Sequence, residues 1–302
     1  MSGGVVVGVD VGGTNIRMGA VDRGANLTRE QIFSSRQLLG DEAVKGLLRS
    51  LQSYISELQT PVRAVSIGFP STMNMDRTAL INTPNLKGLD HLPIQAIYQA
   101  ALGIPLFINK DATMLLHYDL HKLGLRQEGI VAGIYIGTGI GNSILIDGKE
   151  WTGRDGVACE LGHIPVPGRN DECSCGLKGC LELYAGGKGL EQIRAAHFPD
   201  TPIGEVFTQH GDTPQMQAFV CAVADAVVIE SHILNPGCVV LGGGVLQMAA
   251  FPKERLLAAI LEKTRKPMPR DTLKVLFSDH KNPYNGVVGS ALYAMKKLEE
   301  AR

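Results

Sequence analysis

One histidine and three cysteines stand close together near the middle of the chain and could bind a metal ion. They are His163, Cys173, Cys175 and Cys180, four possible ligands within 18 residues. An imidazole with three thiolates is a closed tetrahedral set of the kind that holds structural zinc. A disulfide is the alternative, but Cys173 and Cys175 are too close in sequence to pair easily with each other. The spacing therefore predicts structural Zn2+ that braces a loop and does not activate water.

Three glycine-rich turns, each after an apolar run, could approach phosphate groups. Their sequences are D-V-G-G-T-N at 10–15, G-T-G-I-G at 137–141 and L-G-G-G at 241–244. Glycine lets backbone N–H groups come close to phosphate oxygens, and a threonine hydroxyl can add a donor. The first turn is neither a Walker A motif nor G-x-G-x-x-G, and Gly-Gly turns are common for structural reasons. Three such turns at strand ends nevertheless favour a nucleotide site, where Asp10 could hold Mg2+ through water.

Asp111 lies at a boundary between two predicted elements. It follows the strand-like run at 106–109 and precedes a helical pattern. A carboxylate at this place can cap the helix or point into a cleft. The residues alone leave both roles open, helix cap and general base.

The composition describes a folded protein with no dominant charge. The chain has 302 residues, with 29 Lys and Arg against 30 Asp and Glu, for a net charge of −1. This balance disfavours nucleic acid and acidic membrane surfaces as partners. Hydrophobic residues make up 44% and charged residues 20%, which excludes large-scale disorder. The length suits two domains of ordinary size.

Two stretches of the sequence bear on location. The first four residues lead into Val5–Val7 with no basic region and no cleavage-like site, so we expect a cytoplasmic protein without a secretory signal. Residues 129–146 carry no charge and are long enough for a membrane helix. Glycines recur through that stretch, which instead favours a strand, a turn and a second strand.

Apolar runs rich in Val and Ile alternate with longer helical patterns, which predicts an α/β fold. The predicted strands cover 4–10, 16–22, 62–68, 105–109, 130–137, 142–147, 238–242 and 273–278. The predicted helices cover 41–58, 91–102, 111–124, 216–234, 253–265 and 286–300.

An internal repeat emerges when the chain is compared with itself at a shift of 125 residues. Gly8 then falls on Gly133, Gly12 on Gly137 and Asp22 on Asp147. Both copies predict a strand, a glycine turn and a returning strand, although two apolar, glycine-rich stretches can also match by chance. A true repeat would give two similar lobes that face a cleft suited to a nucleotide.

The motifs, in this order, resemble those of the ROK family of sugar kinases, repressors and related proteins. The resemblance runs from Asp10 to about Gly289, and its most specific part is E-L-G-H at 160–163 with C-x-C-G-x-x-G-C-L-E at 173–182. It implies the duplicated, actin-like (ribonuclease H-like) sugar kinase fold, an α/β architecture with two lobes around a cleft. We expect a small N-terminal lobe from 1–110 with the C-terminal helix 286–302, and a larger lobe from 111–285 that carries the zinc-binding loop.

The same resemblance implies a role for each matching residue. Asp111 would be the catalytic base that accepts the proton of the sugar hydroxyl as it attacks the γ-phosphate of ATP. The sugar would be bound by Asn85, Asp111, Glu160, His163 and Glu182. ATP, with Mg2+, would be bound by Asp10, Gly12, Gly13, Thr14, Asn15, Gly137, Thr138, Gly139, Gly141, Gly242 and Gly243. Zn2+ would be bound by His163, Cys173, Cys175 and Cys180, so that His163 would link the metal to the sugar pocket.

Some departures from the family pattern bear on the substrate. Glucokinases of this family usually have Asn just before the catalytic Asp and two positions after it, whereas this chain has Lys110 and Thr113, and Ser71 replaces a usual Gly. With the segments at 150–153, 156–158, 250–252 and 265–267, these changes make the chain similar to the D-allose kinase branch. We therefore expect a kinase acting on the 6-hydroxyl of a free hexose, with D-allose favoured. A glucokinase, a fructokinase and an N-acetylhexosamine kinase of the same family remain alternatives.

Other functional classes fit the sequence less well. Sugar-sensing repressors of the family carry an N-terminal helix-turn-helix of roughly 70 to 80 residues, whereas nine residues precede Asp10, so we expect an enzyme. An actin-like or chaperone-like ATPase is disfavoured by the zinc motif and the sugar-binding matches. A homodimer is implied by the resemblance alone.

Overall fold

The computed structural model describes residues 3–35, 42–83, 88–279 and 282–301. The chain divides into two compact units. The first consists of Met1–Leu125, Thr152–Ala158 and Lys281–Arg302, and the second of Arg126–Trp151 and Cys159–His280.

The first unit is built on a five-stranded sheet with the strand order β3-β2-β1-β4-β7. Its strands are β1 (Val5–Val11), β2 (Asn15–Val21), β3 (Leu27–Ser34), β4 (Val62–Phe69) and β7 (Leu106–Lys110), and a separate ribbon contains β5 (Thr72–Met73) and β6 (Leu80–Asn82). β1 pairs antiparallel with β2 and parallel with β4, and β4 pairs parallel with β7. The carboxyl ends of β1, β4 and β7 therefore lie along one edge of the sheet, the edge where open α/β sheets bind ligands.

Helices cover both faces of this sheet because alternate residues of its central strands are apolar on either side. The helices are α1 (Ala43–Ser56), α2 (Ile94–Leu102), α3 (Asp111–Lys122) and α9 (Asn285–Glu300). Val7 and Val9 are buried in the cluster that includes α1 and α2, whereas Val6 is buried with Ala291 of α9. A side chain at Gly8 would collide with the Val287 carbonyl, so glycine is needed where α9 meets β1.

The boundary between the units differs from the predicted one. The prediction assigned 111–285 to the larger lobe, whereas residues up to Leu125 belong to the first unit. The physical reason is the packing of α3 against α9, where the rings of His117 and Tyr293 meet edge to face with centroids 5.4 Å apart. Helix packing of this kind leaves little trace in the sequence of either helix.

The second unit has its own five-stranded sheet, with the order β10-β9-β8-β11-β12. Its strands are β8 (Ile130–Ile136), β9 (Ile140–Ile146), β10 (Lys149–Glu150), β11 (Cys238–Gly242) and β12 (Val275–Phe277). Its helices are α4 (Glu182–Ala185), α5 (Gly187–His197), α6 (Val206–His210), α7 (Pro214–Leu234) and α8 (Lys253–Lys263). The uncharged stretch 129–146 forms the antiparallel pair β8 and β9, as predicted.

Helix α7 is long and apolar enough to cross a membrane by length and composition alone, with 21 residues. It packs against α8 in the core of the second unit. Phe219, Val223 and Val227 on this helix are fully buried within that core. A core helix passes the same test of length and composition, and α7 is buried in the way that a core helix is.

The two sheets confirm the internal repeat. β1 and β8 begin at Val5 and Ile130, and β2 and β9 begin at Asn15 and Ile140, a shift of 125 residues in both cases. The strand orders also correspond one to one, because each sheet has an antiparallel hairpin at one side and parallel strands at the other. Each unit therefore carries its own copy of the glycine hairpin.

Candidate functional site

Asp10 and Asp111 lie on the same edge of the first sheet. The strand register aligns Asp10 with Gly68 of β4 and Gly68 with Asn109 of β7, two residues before Asp111. Because neighbouring strands are about 4.8 Å apart, Asp10 and Asn109 are separated by roughly 10 Å along this edge. The parallel strands thus bring to one edge two carboxylates that are far apart in sequence.

Asp111 begins α3 directly after β7, and its side chain is half-buried. Its Oδ1 accepts a hydrogen bond from the Ala112 backbone N–H at 2.7 Å. This contact holds the carboxylate at the N-terminus of the helix, where partial positive charge stabilises an anion. Lys110 is the N-cap residue of α3 and makes no side-chain cap hydrogen bond, so Asp111 does not cap the helix. It is the first residue of the helix, and its carboxylate lies at the ligand-binding edge of the sheet.

Asp10 is held between Arg17 and the first turn of α9. The Asp10 Oδ2 atom lies 3.7 Å from the Arg17 guanidinium. Gly286, in the first turn of α9, approaches so closely that a Cβ there would lie 2.7 Å from the Asp10 Cγ. Burial raises the pKa of Asp10 above its ordinary value, and the charge of Arg17 opposes that shift. Asp10 thus places a carboxylate, the ligand type that Mg2+ prefers, at the ligand-binding edge of the sheet.

The first glycine turn closes the hairpin between β1 and β2. Gly12 N–H donates to the Asn15 carbonyl at 2.9 Å, while the Ser35 hydroxyl donates to the Gly13 carbonyl at 2.8 Å. Gly13 and Thr14 are exposed at the tip. The turn is thus fixed by its own backbone and by Ser35, with the tip presented to solvent.

The second glycine turn joins β8 and β9 and is docked on the start of α5. Gly137 N–H donates to the Gly139 carbonyl at 3.0 Å, and the carbonyls of Gly137 and Thr138 accept from Gly187 and Lys188 at 2.8 and 2.9 Å. A Cβ at Gly187 would lie 2.5 Å from the Gly137 oxygen. Sequence analysis missed this support, although the G-G-K-G run at 186–189 was a visible signal.

The third glycine turn lies beside the second. Gly242 ends β11 opposite Tyr135 of β8, and Gly243 follows with a positive φ of 98°. A side chain at Gly243 would overlap the backbone of Ile136, the residue before Gly137. Two of the three predicted phosphate-binding turns are therefore brought together at the carboxyl edge of the second sheet.

The four predicted metal ligands converge in the second unit. The ligand atoms of His163, Cys173, Cys175 and Cys180 all lie within 4.8 Å of one another. Cys175 Sγ is 3.6 Å from Cys180 Sγ, and Cys173 Sγ is 3.8 Å from His163 Nδ1. A tetrahedral site with Zn–S bonds of about 2.3 Å places its sulfurs about 3.8 Å apart, so the group fits Zn2+.

The environment of the thiols differs within this cluster. A backbone hydrogen bond involving Leu177 lowers the pKa of Cys175, whereas burial raises the pKa of Cys180 to about 12. All six cysteines are free thiols, so no disulfide joins any pair of them within the described residues.

Two carboxylates flank the metal ligands. Glu160 Oε2 lies 3.8 Å from His163 Nε2, the ring nitrogen opposite the one that faces Cys173. The Cys173 thiol donates to Glu182 Oε1 at 3.7 Å. The Glu182 carboxylate also lies against Gly139, in the space that a side chain there would need. The structure therefore brings together Glu160, His163 and Glu182, and joins them to the second glycine turn.

Lys110 and Thr113, which replace the usual amides near Asp111, differ in their contacts and burial. Lys110 Nζ donates to the Ala158 carbonyl at 3.4 Å. Thr113 is buried, with 1% of its surface exposed. Asn85, the remaining predicted sugar ligand, lies outside the described residues.

The ROK family profile matches residues 6–297, nearly the whole chain. The chain belongs to the ROK family. A glucokinase from Thermotoga maritima is 27% identical to this ROK protein over 263 residues, which cover 80% of this chain and 82% of the relative. An N-acetyl-D-glucosamine kinase from Pectobacterium carotovorum subsp. carotovorum is 27% identical over 257 residues, covering 79% and 83%.

The same fold is found in solved ROK structures. The ROK hexokinase from Thermus thermophilus aligns with a TM-score of 0.79 at 26% identity, covering 98% of this chain and 99% of that one. This match confirms the duplicated α/β fold class of the ROK sugar kinases predicted from sequence. The named relatives phosphorylate different sugars, so ROK membership supports sugar kinase activity without distinguishing the sugar.

Proposed function

We propose that this protein is an ATP-dependent hexose kinase that transfers the γ-phosphate of ATP to the 6-hydroxyl of a free hexose. The observation that carries the proposal is the position of Asp111, half-buried at the start of α3 on the sheet edge to which β1 brings Asp10. Membership of the ROK family and the sugar kinase activity named for its relatives support the class of reaction.

Asp111 would act as the general base of this reaction. Its carboxylate would accept the proton of the sugar 6-hydroxyl as that oxygen forms a bond to the γ-phosphorus. The bond between the γ-phosphorus and the bridging oxygen breaks, and ADP leaves with the electron pair. Most of the rate would come from positioning and charge stabilisation, because the transferred phosphoryl group needs little covalent help.

The glycine turns would bind the phosphates of ATP through backbone N–H groups. The residues proposed for ATP are Asp10, Gly12, Gly13, Thr14, Asn15, Gly137, Thr138, Gly139, Gly141, Gly242 and Gly243. Mg2+, when bound, neutralises phosphate charge, and Asp10 would hold it through water. Glycines at these positions keep side chains away from the nucleotide.

Glu160, His163, Glu182 and Asn85 would bind the sugar hydroxyls. The contact of Glu160 with His163 and of Glu182 with Cys173 supports a shared role for the first three. Zn2+, when bound to His163, Cys173, Cys175 and Cys180, would fix the loop that carries these side chains.

D-allose is the sugar we favour. Lys110 donates to Ala158 and Thr113 is buried, so neither supplies the amide that glucokinases of the family usually have beside the catalytic Asp. Allose differs from glucose at carbon 3, where the loss of an amide contact would shift recognition. A glucokinase, a fructokinase or an N-acetylhexosamine kinase is the alternative within the same reaction class. A cytoplasmic homodimer remains the expected state.

The test is an ATP-coupled kinase assay with Mg2+ across six sugars: D-allose, glucose, mannose, fructose, N-acetylglucosamine and N-acetylmannosamine. We expect the highest kcat/KM with D-allose, by about tenfold over glucose, since one net hydrogen bond to a hydroxyl is worth about 0.5–1.5 kcal/mol. A higher kcat/KM with another sugar would remove the allose assignment and keep the kinase. No turnover of any sugar would contradict the proposed reaction and favour a sugar-sensing regulator.

A further inference from the structure

Residues 152–158 follow an unusual path. The chain belongs to the second unit up to Trp151 and again from Cys159, but Thr152–Ala158 belongs to the first unit. We call this stretch the crossing segment. Its ends are tied together, because the Ala158 N–H donates to the Thr152 carbonyl at 3.0 Å. Glu160, a proposed sugar ligand, follows two residues after the segment ends.

Two cationic side chains of the first unit hold the crossing segment by its carbonyl groups. Arg77 Nη1 donates to the Gly156 carbonyl at 2.7 Å, and Lys110 Nζ donates to the Ala158 carbonyl at 3.4 Å. Arg77 is only 7% exposed, so its bond to Gly156 lies in a site shielded from water. Hydrogen bonds from charged donors in such places are stronger than those between neutral groups.

The backbone of the crossing segment also packs directly on the first unit. Gly156 is buried and has a positive φ of 82°. A Cβ there would lie 2.6 Å from the Met75 nitrogen and 2.7 Å from the Asn74 carbonyl carbon. Glycine is therefore required both by the backbone conformation and by the close approach to the backbone of residues 74 and 75. The crossing segment thus has a fixed packing position on the first unit.

We propose that Lys110 and Arg77 are positioning residues for sugar binding, because together they clamp the crossing segment. The inference rests on the proposed function. Lys110 is adjacent to Asp111, the proposed base, and it anchors the carbonyl two residues before Glu160. The Lys110 side chain thereby links the backbone beside Asp111 to the backbone near Glu160, and both of these residues are proposed sugar ligands. Lys110 acts on the sugar through Ala158 and not by touching it.

The first test measures the crossing segment without measuring activity. Arg154 lies within the segment and its side chain is 95% exposed, so trypsin can cut after it when the segment is released. We expect Lys110→Met to raise the rate of cleavage after Arg154 about tenfold in the full-length protein, since a charged hydrogen bond is lost. Lys110→Arg keeps a charged donor and should stay within about twofold of the parent. Lys122→Met, at the exposed far end of α3, is the matched control and should not change the rate.

The second test separates positioning from a direct role in the chemistry. Lys110→Met should raise KM for the sugar about tenfold, with KM for ATP unchanged and kcat within about threefold, and Lys110→Arg should restore the sugar KM. Arg77→Lys should also raise both the rate of cleavage after Arg154 and KM for the sugar. Thermal melting checks that each variant is folded. Unchanged cleavage in both Lys110→Met and Arg77→Lys, or a loss of kcat at constant KM, would overturn the clamp. If the parent phosphorylates no sugar, the proposed function fails, whereas the cleavage rates still decide the clamp.

Discussion

The Glu182 carboxylate contacts Cys173 and Gly139, two residues that are 34 positions apart in the sequence. One oxygen accepts from the Cys173 thiol at 3.7 Å, and the other occupies the space that a side chain at Gly139 would need. Gly162 also packs against Glu182, since a Cβ added at Gly162 would lie 3.3 Å from the Glu182 Cβ. The glycine at 139 therefore gives Glu182 its position as well as giving backbone access to phosphate.

Gly139→Ala should displace the Glu182 carboxylate while leaving the fold intact, because the colliding atoms are the mobile end of a side chain. We expect KM for the sugar to rise about tenfold and the melting temperature to change by less than about 2 °C. Gly204→Ala is the matched control, since a Cβ at Gly204 meets nothing within 4 Å and this glycine lies outside the proposed binding turns. An unchanged sugar KM in Gly139→Ala, measured by steady-state kinetics, would contradict a role for Glu182 in sugar binding.

Residue types at fixed spacing predicted the metal ligands, because four ligands within 18 residues need no knowledge of tertiary structure. The partners of Lys110 could not be predicted in this way. Its contact with Ala158 depends on the path of the crossing segment, and no local sequence pattern predicts that path.

The loop that carries the metal ligands has little regular structure of its own. Between the 3-10 turn Leu161–His163 and α4 it is held by isolated backbone bonds, including Cys173 N–H to the Leu177 carbonyl at 2.9 Å and Gly179 N–H to the Asp171 carbonyl at 2.8 Å. A bound metal would therefore supply much of the order in this element.

Removal of zinc should loosen this loop and weaken sugar binding. We expect one Zn2+ per chain by elemental analysis, and a competing chelator should lower the melting temperature by roughly 5 °C or more and raise KM for the sugar. Cys173→Ser should reproduce both effects, whereas Cys221→Ser, at an exposed cysteine outside the cluster, should show neither. A protein purified without zinc that melts and binds sugar normally would exclude a structural metal.

Elements with apolar faces were predicted within a few residues of their observed ends, as for β1 and α7. The omissions were elements with a weak hydrophobic pattern. Strand β3 is exposed along most of its length at the sheet edge, so it has no buried run to detect. Helix α5 begins Gly-Lys-Gly and buries only Gly189 and Leu190 fully, and glycine is a poor helix former.

At the scale of the whole chain, the shift of 125 residues found in the sequence is the shift between the two sheets. The matched glycines of the two hairpins carry the signal of the repeat, whereas the helices that follow share no detectable pattern. The assignment of α3 and the crossing segment to the first unit was not predictable, because it depends on packing against α9 and on the clamp by Arg77 and Lys110. The sequence repeat therefore predicted the matching strand orders of the two sheets. The boundaries of the units depend on tertiary packing and could not be predicted from it.

The central claim is that Asp111 accepts the proton from the sugar hydroxyl, and kinetics of Asp111→Asn test it most directly. Because the amide cannot take up the proton, we expect kcat to fall by about 10³-fold, with KM for sugar and ATP within about threefold. The melting temperature should stay close to that of the parent, and Asp76→Asn, at an exposed carboxylate, should keep full activity. An Asp111→Asn protein that retains more than about a tenth of the parent kcat would contradict the account.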